Sequence, residues 1–155
     1  MPFKKQLPVL NSHVPKPIVS AVQFANHTKE FGGATMDVRS YRVAQPGDHV
    51  TFVGGQRDSK GKSIPEEVIP QEQLTMPKVL NKAKEVRRQM GPGRGSSLGS
   101  WVPGDNRGVV LDASKGYQTE PLAMKDAQST NQEAIYSMTK GEIPNKRYNP
   151  RKAKG

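Results

Sequence analysis

The clearest periodicity in the chain lies in LTMPKVLNKAKEVRRQM, residues 74–90. Val79, Leu80, Ala83, Val86 and Met90 recur there at helical spacing, and Lys78, Lys82, Lys84 and Arg88 fall on the opposite face. Thr75 is placed to cap the helix, Pro77 is tolerated in its first turn, and Gly91-Pro92 supplies a stop. A shorter helical pattern, TEPLAMKDAQSTNQ (119–132), has Thr119 as its cap, Pro121 in the first turn, and Leu122, Ala123 and Ala127 on one side.

Alternating patterns predict the strands. YRVAQPGDHVTFVGG (41–55) carries two short apolar runs around Pro46-Gly47-Asp48, a hairpin signal. LGSWV and GVVLDA flank PGDNR in a second hairpin, in which Trp101 is expected to be a core residue anchoring a small sheet. EAIYSM (133–138) is a last strand. The loop 56–70 between hairpin and helix is polar and bounded by prolines.

The two ends are punctuated differently. Pro2, Pro8, Pro15 and Pro17 argue against a helix through Lys16, leaving only IVSAVQFAN (18–26) for a short strand or helical turn. These elements predict an α+β fold: a small antiparallel sheet from hairpins packed with two helices, flanked by extended Pro/Gly-rich basic arms. The expected boundaries are an extended basic arm over 1–30, a body over 31–139 and a basic tail over 140–155. Within the body the pattern places a helix at about 75–90, a hairpin at about 98–113 and a helix at about 120–131.

Charge changes the picture more than any other bulk property. With 24 Lys+Arg against 14 Asp+Glu, the 155 residues carry a net charge of +10, a balance that favours an acidic partner. The surplus is concentrated in residues 1–29, 78–94 and 140–155, and the remainder is mildly acidic. Only 33% of residues are hydrophobic, so the tails have too little apolar surface to offset their ordering entropy. No apolar run is long enough to span a bilayer, and the proline-broken N-terminal stretch is not expected to act as a signal peptide. Without cysteine there are no thiolate ligands or disulfides, which fits a reducing compartment.

Candidate chemistry is sparse. The glycines of RRQMGPGRGSS (87–97) follow a helix and lead into a strand, whereas a dinucleotide fingerprint opens a helix; the lysine of a phosphate-binding P-loop is also missing. The expectation is a helix stop and hinge, with Arg87, Arg88 and Arg94 as an anion contact. His13, His27 and His49 are too scattered for a metal site, and no serine sits in a nucleophile elbow. Glu66-Glu67 with Asp105 or Asp112 could form an acid/base pair, though adjacent loop carboxylates are usually solvated. No enzyme activity, cofactor, metal or small-molecule substrate is expected. Phosphate contacts, by contrast, need Lys and Arg on helices or flexible segments. Lys82, Arg87, Arg88 and Arg94 supply one such group, and Lys146, Arg147, Arg151 and Lys152 another, with Tyr148 as the one aromatic beside that charge.

The second half carries a resemblance. Gly99 and Trp101, then Val109, Leu111 and Asp112, the spaced Ala123 and Ala127, Asn131-Gln132 with Ala134-Ile135-Tyr136, and Gly141-Glu142 together resemble a small domain of uncharacterised bacteriophage and mobile-element proteins. FGGATMD (31–37) is similar to the Gly-Gly-x-Thr opening of the same proteins. This chain departs from them in Pro144 and in its long basic tails. The resemblance implies a phage-like origin and a non-enzymatic accessory or structural role, and it assigns no catalytic residue.

Two functions follow as expectations. The first is a structural or assembly protein of a phage-like virion or similar large particle, docked on other protein subunits through its basic arms and found in the virion or host cytoplasm. The second is a nucleic-acid-binding accessory protein gripping DNA or RNA phosphates with the basic helix and tail. A lining protein of another large assembly ranks third. None of these requires a membrane.

Overall fold

The computed structural model describes residues 14–91, 93–105 and 108–152. Its organising element is a hairpin of β4 (Ser96–Trp101) and β5 (Val109–Tyr117), paired from Ser96↔Lys115 to Trp101↔Val110. The predicted hairpin at 98–113 is therefore present and longer than expected. β1 (Gly33–Asp37) adds to the free edge of β4, with Met36 opposite Leu98.

The far edge of β5 is divided between two strands. β3 (Glu67–Ile69) takes Val109–Leu111, and β2 (Thr51–Val53) takes Lys115–Tyr117. Between them the chain leaves β2 through Gly54-Gly55. There the Gln56 amide donates to the Ala113 carbonyl at 3.2 Å, and the Gly55 amide donates to Asp112 Oδ2 at 2.9 Å. Gly54 is needed at this bend, because a Cβ there would lie 2.6 Å from Asp112 Oδ2. β6 (Ala134–Ser137) pairs with β2, and β7 (Gly141–Pro144) with β6. The resulting seven-stranded sheet is antiparallel at every pairing.

Among the described residues three α-helices cover it: α1 (Lys16–Phe31), α2 (Met76–Met90) and α3 (Glu120–Ser129). Together with the sheet they make the α+β fold that the sequence predicts. Phe24 of α1 and Val79, Ala83 and Val86 of α2 share one buried cluster with Met36, Leu98, Val109, Leu111 and Ala113 of the sheet. Ala123 and Ala127 of α3 form a smaller one with Val53 and Ile135.

Three expectations need correction. Residues 16–31 form a helix instead of part of an extended arm. Pro15 occupies its N-cap and Pro17 its first turn, where a missing N–H leaves no bond unmade. Ser20, Ala21, Phe24, Ala25 and Thr28 are its buried stripe, and Thr28 Oγ1 lies 2.6 Å from Ser100 Oγ. The 41–55 hairpin does not form. Instead Asp37 Oδ1 accepts the Arg39 and Ser40 amides and turns the chain, so that Val43 bridges back to Met36 on β1. The released second run becomes β2. Finally, the segment assigned to the tail begins with β7, which is part of the sheet. Residues 1–13 and 153–155 of the two arms lie outside the described residues.

The tail beyond β7 is turned rather than extended up to Lys152, and asparagines do the turning. Asn145 donates from Nδ2 to the Gln132 carbonyl at 2.8 Å, and its Oδ1 accepts the Arg147 amide. Asn131 and Asn149 pair reciprocally, each bond being 2.9 Å long.

Because Phe24 is fully buried, Phe24→Ala is expected to cost about 3–5 kcal/mol. Urea denaturation would show this as a lower midpoint. A loss below about 1 kcal/mol would mean that α1 does not help hold the core.

Candidate anion-binding surface

α2 is built as its sequence predicts: the Thr75 hydroxyl accepts the Lys78 amide, and the Gly91 amide donates to the Arg87 carbonyl at 3.0 Å. Gly91 sits at φ 79°, a left-handed turn that suits a residue without Cβ. The charges along the helix then separate into two halves.

In the N-terminal half the lysines are occupied. Lys78 binds Glu67 Oε2, and Lys82 Nζ lies 3.2 Å from Glu67 Oε1 and 3.5 Å from Glu85 Oε1. The Lys78 hydrogen bond, with help from Lys82, holds the Glu67 carboxyl below the usual range despite partial burial. Lys82 is itself buried at 5% exposure. It was expected on the basic outer face as a phosphate contact; packed under β3 with two carboxylates, it is a structural cation instead.

In the C-terminal half the cations are open. Lys84, Arg87 and Arg88 are exposed, and among the described residues no ion pair or hydrogen bond engages their side chains. Together with Gly91 they form one stripe at i, i+3, i+4 and i+7. This stripe and Arg39, from the turn after β1, line a hollow of about 440 Å³. The helix dipole puts roughly half a negative charge at this end, far less than the positive charge around it.

The hollow thus brings together Arg87 and Arg88 with two residues that the site reading left out. Lys84 was legible from its i, i+3, i+4 spacing to them. Arg39 had no local signal, since only the Asp37 turn carries it there. Arg94 is exposed in the link before β4 but does not line the hollow. Lys146, Arg147, Arg151 and Lys152 are exposed on the asparagine-held turns after β7, and Tyr148 beside them is half-buried. β7 lies four strand steps from β4 in the sheet, roughly 19 Å at the usual interstrand spacing. The cations therefore form two separate zones.

Other candidate groups are placed as follows. His27 packs on Phe31 with ring centroids 4.7 Å apart, His49 is exposed, and His13 lies outside the described residues. No three His, Cys, Asp or Glu among the described residues gather as a metal group would require. Trp101, expected in the core, is 42% exposed, since its register opposite Val110 sets it on the sheet face away from the helices. A second hollow of about 260 Å³ includes His49, Glu120, Ser137 and Thr139. Two of its polar side chains are engaged: Glu120 pairs with Lys140 at 2.8 Å, and Ser137 Oγ accepts the Thr139 and Lys140 amides. No helix among the described residues is long and apolar enough to cross a membrane.

Of the suggested acid/base carboxylates, Glu66 is exposed and Glu67 is held by lysines. Asp112 is buried, and its Oδ1 has no hydrogen-bond partner among the described residues. Burial pushes its carboxyl up to about 6, opposed by the Gly55 amide, reinforced by Glu66, and opposed again by the Ala113 amide and Lys82.

Comparison with protein-family models, curated proteins and solved structures finds no match for this chain.

Asp112 yields a pH-dependent expectation. Its folded-state value lies above the unfolded one, so the neutral acid is favoured in the fold. The contribution is complete below about pH 4 and is lost as pH rises through about 6. Going from pH 4.5 to 7.5, Asp112→Asn should gain stability relative to the wild type by about 2 kcal/mol. Urea titrations at both pH values check this. A difference that does not change with pH would show that Asp112 titrates normally.

Proposed function

We propose that this protein is a non-enzymatic accessory protein that binds nucleic acid through the phosphate backbone, as a component of a larger nucleoprotein particle. The observation that carries this reading is the open stripe of Lys84, Arg87 and Arg88, three exposed cations with no acidic partner among the described residues, on a helix whose other lysines are paired. Helix-borne arginines and lysines are suited to phosphate contacts, which supply sequence-independent affinity. Lys146, Arg147, Arg151 and Lys152 add a second contact zone, and Arg94 adds one more exposed cation. The resemblance to phage and mobile-element proteins supports the particle setting.

A second reading, a structural part docked between protein subunits, is favoured by the sheet face away from the helices. There Trp101, Val110 and Val68 stand side by side across three strands, with Trp101 42% and Val68 45% exposed. Tyr136 lies on the same face and is 52% exposed. Mass spectrometry of purified particles tests this reading. Presence at fixed stoichiometry after nuclease treatment and a salt wash would favour it.

Retention of single- and double-stranded DNA and of RNA, measured across a salt series, tests the first reading. Affinity should fall steeply as salt rises, and Arg87→Gln or Arg151→Gln should each lower the log–log slope by about one. Absence of binding at low salt would overturn the proposal.

A further inference from the structure

We infer that the hollow bounded by Arg39, Lys84, Arg87, Arg88 and Gly91 is a discrete site for a diphosphate or longer polyphosphate group. This rests on the phosphate-binding reading above, but gives the hollow a ligand of its own.

The first argument is shape. A phosphodiester backbone can be gripped by a convex basic surface and does not need a concavity. Here Arg39, Lys84, Arg87, Arg88 and Gly91 line an open hollow of about 440 Å³, a volume within the range that holds small ligands. The second is charge. Lys84 repels Arg87 and Arg88 at i, i+3 and i, i+4 spacing, and among the described residues only the helix dipole, worth about half a charge, opposes their combined charge. Glu67 and Glu85 are engaged with Lys78 and Lys82 instead. A single carboxylate would neutralise one of these charges; a diphosphate, with about three negative charges at neutral pH, matches the stripe. The third is geometry. Two guanidiniums on adjacent residues offer planar, paired N–H donors suited to phosphate oxygens, and Lys84 adds a point charge one turn earlier. Gly91, one further turn along, borders the hollow without a side chain.

The same group could belong to a free nucleotide or to the triphosphorylated end of an RNA strand. Isothermal titration at about 0.15 M salt, close to physiological ionic strength, would use inorganic pyrophosphate, a nucleoside triphosphate, and a short RNA with a 5′-triphosphate or a 5′-hydroxyl. The expected result is saturable pyrophosphate binding with a defined stoichiometry. It should weaken at least tenfold in Arg87→Gln and in Arg88→Gln, and less than twofold in Lys125→Gln, which removes the same charge from the exposed face of α3. Tighter binding of the nucleoside triphosphate than of pyrophosphate would assign a free nucleotide; tighter binding of the triphosphorylated RNA than of its 5′-hydroxyl counterpart would assign a strand end. No pyrophosphate binding by the wild-type chain, or equal weakening in all three variants, would overturn the inference. Salt-dependent nucleic-acid retention without pyrophosphate binding would sink this site alone. Pyrophosphate binding without retention of any nucleic acid would sink the broader proposal alone.

Discussion

The fold depends on how one strand shares its hydrogen bonds. β5 pairs with β4 from Val110 to Lys115 along one edge, and its other edge is too long for either β2 or β3. Both therefore dock on it, separated by the Asp112–Ser114 stretch, and the Gly54–Gln56 bend closes the gap. Side chains directly opposite in antiparallel pairs share a face. Leu111, Ala113 and Leu98 thus point with Val53 and Ile135 toward the helices, and two apolar clusters form along one side of a continuous sheet. Buried Asp112 is the cost of that junction: its carboxylate accepts the bending Gly55 amide and keeps one oxygen without a partner among the described residues.

Elements with strong local signals were legible in the sequence. Helices α2 and α3 follow from a cap threonine, a first-turn proline and apolar residues at helical spacing, and the β4–β5 hairpin from two apolar runs around a Pro-Gly turn. Helix α1 was missed because Pro15 and Pro17 read as breakers. At a helix start they are compatible with the first turn, and the choice was made by the packing of Phe24 and Thr28 against distant parts of the sheet. The segment 41–55 failed for a similar reason. Its turn signal is genuine, but Val43 finds Met36 and Thr51–Val53 finds β5, partners that no local pattern names.

The candidate site shows the same division. Arg87 and Arg88 were identifiable from charge density alone. Lys82 shares that density and was misread, because its fate is decided by Glu67, which is fifteen positions away in sequence and is brought to α2 by strand β3. Arg39 was invisible for the converse reason. A run of like charges reports sign; only the fold reports which charges have already been neutralised.

The unequal size of the two apolar clusters has a consequence for motion. The larger joins α1 and α2 to β1, β4 and β5, whereas the smaller is made by Val53, Ala123, Ala127 and Ile135, two of them alanines. Free energies of local opening follow buried apolar contact, so α3, β6 and β7 are expected to open before β5. The asparagine-held turn that displays Arg147 and Arg151 follows β7, and the Arg87–Arg88 stripe lies on α2. One basic zone is thus carried on the larger apolar core, and the other on the smaller.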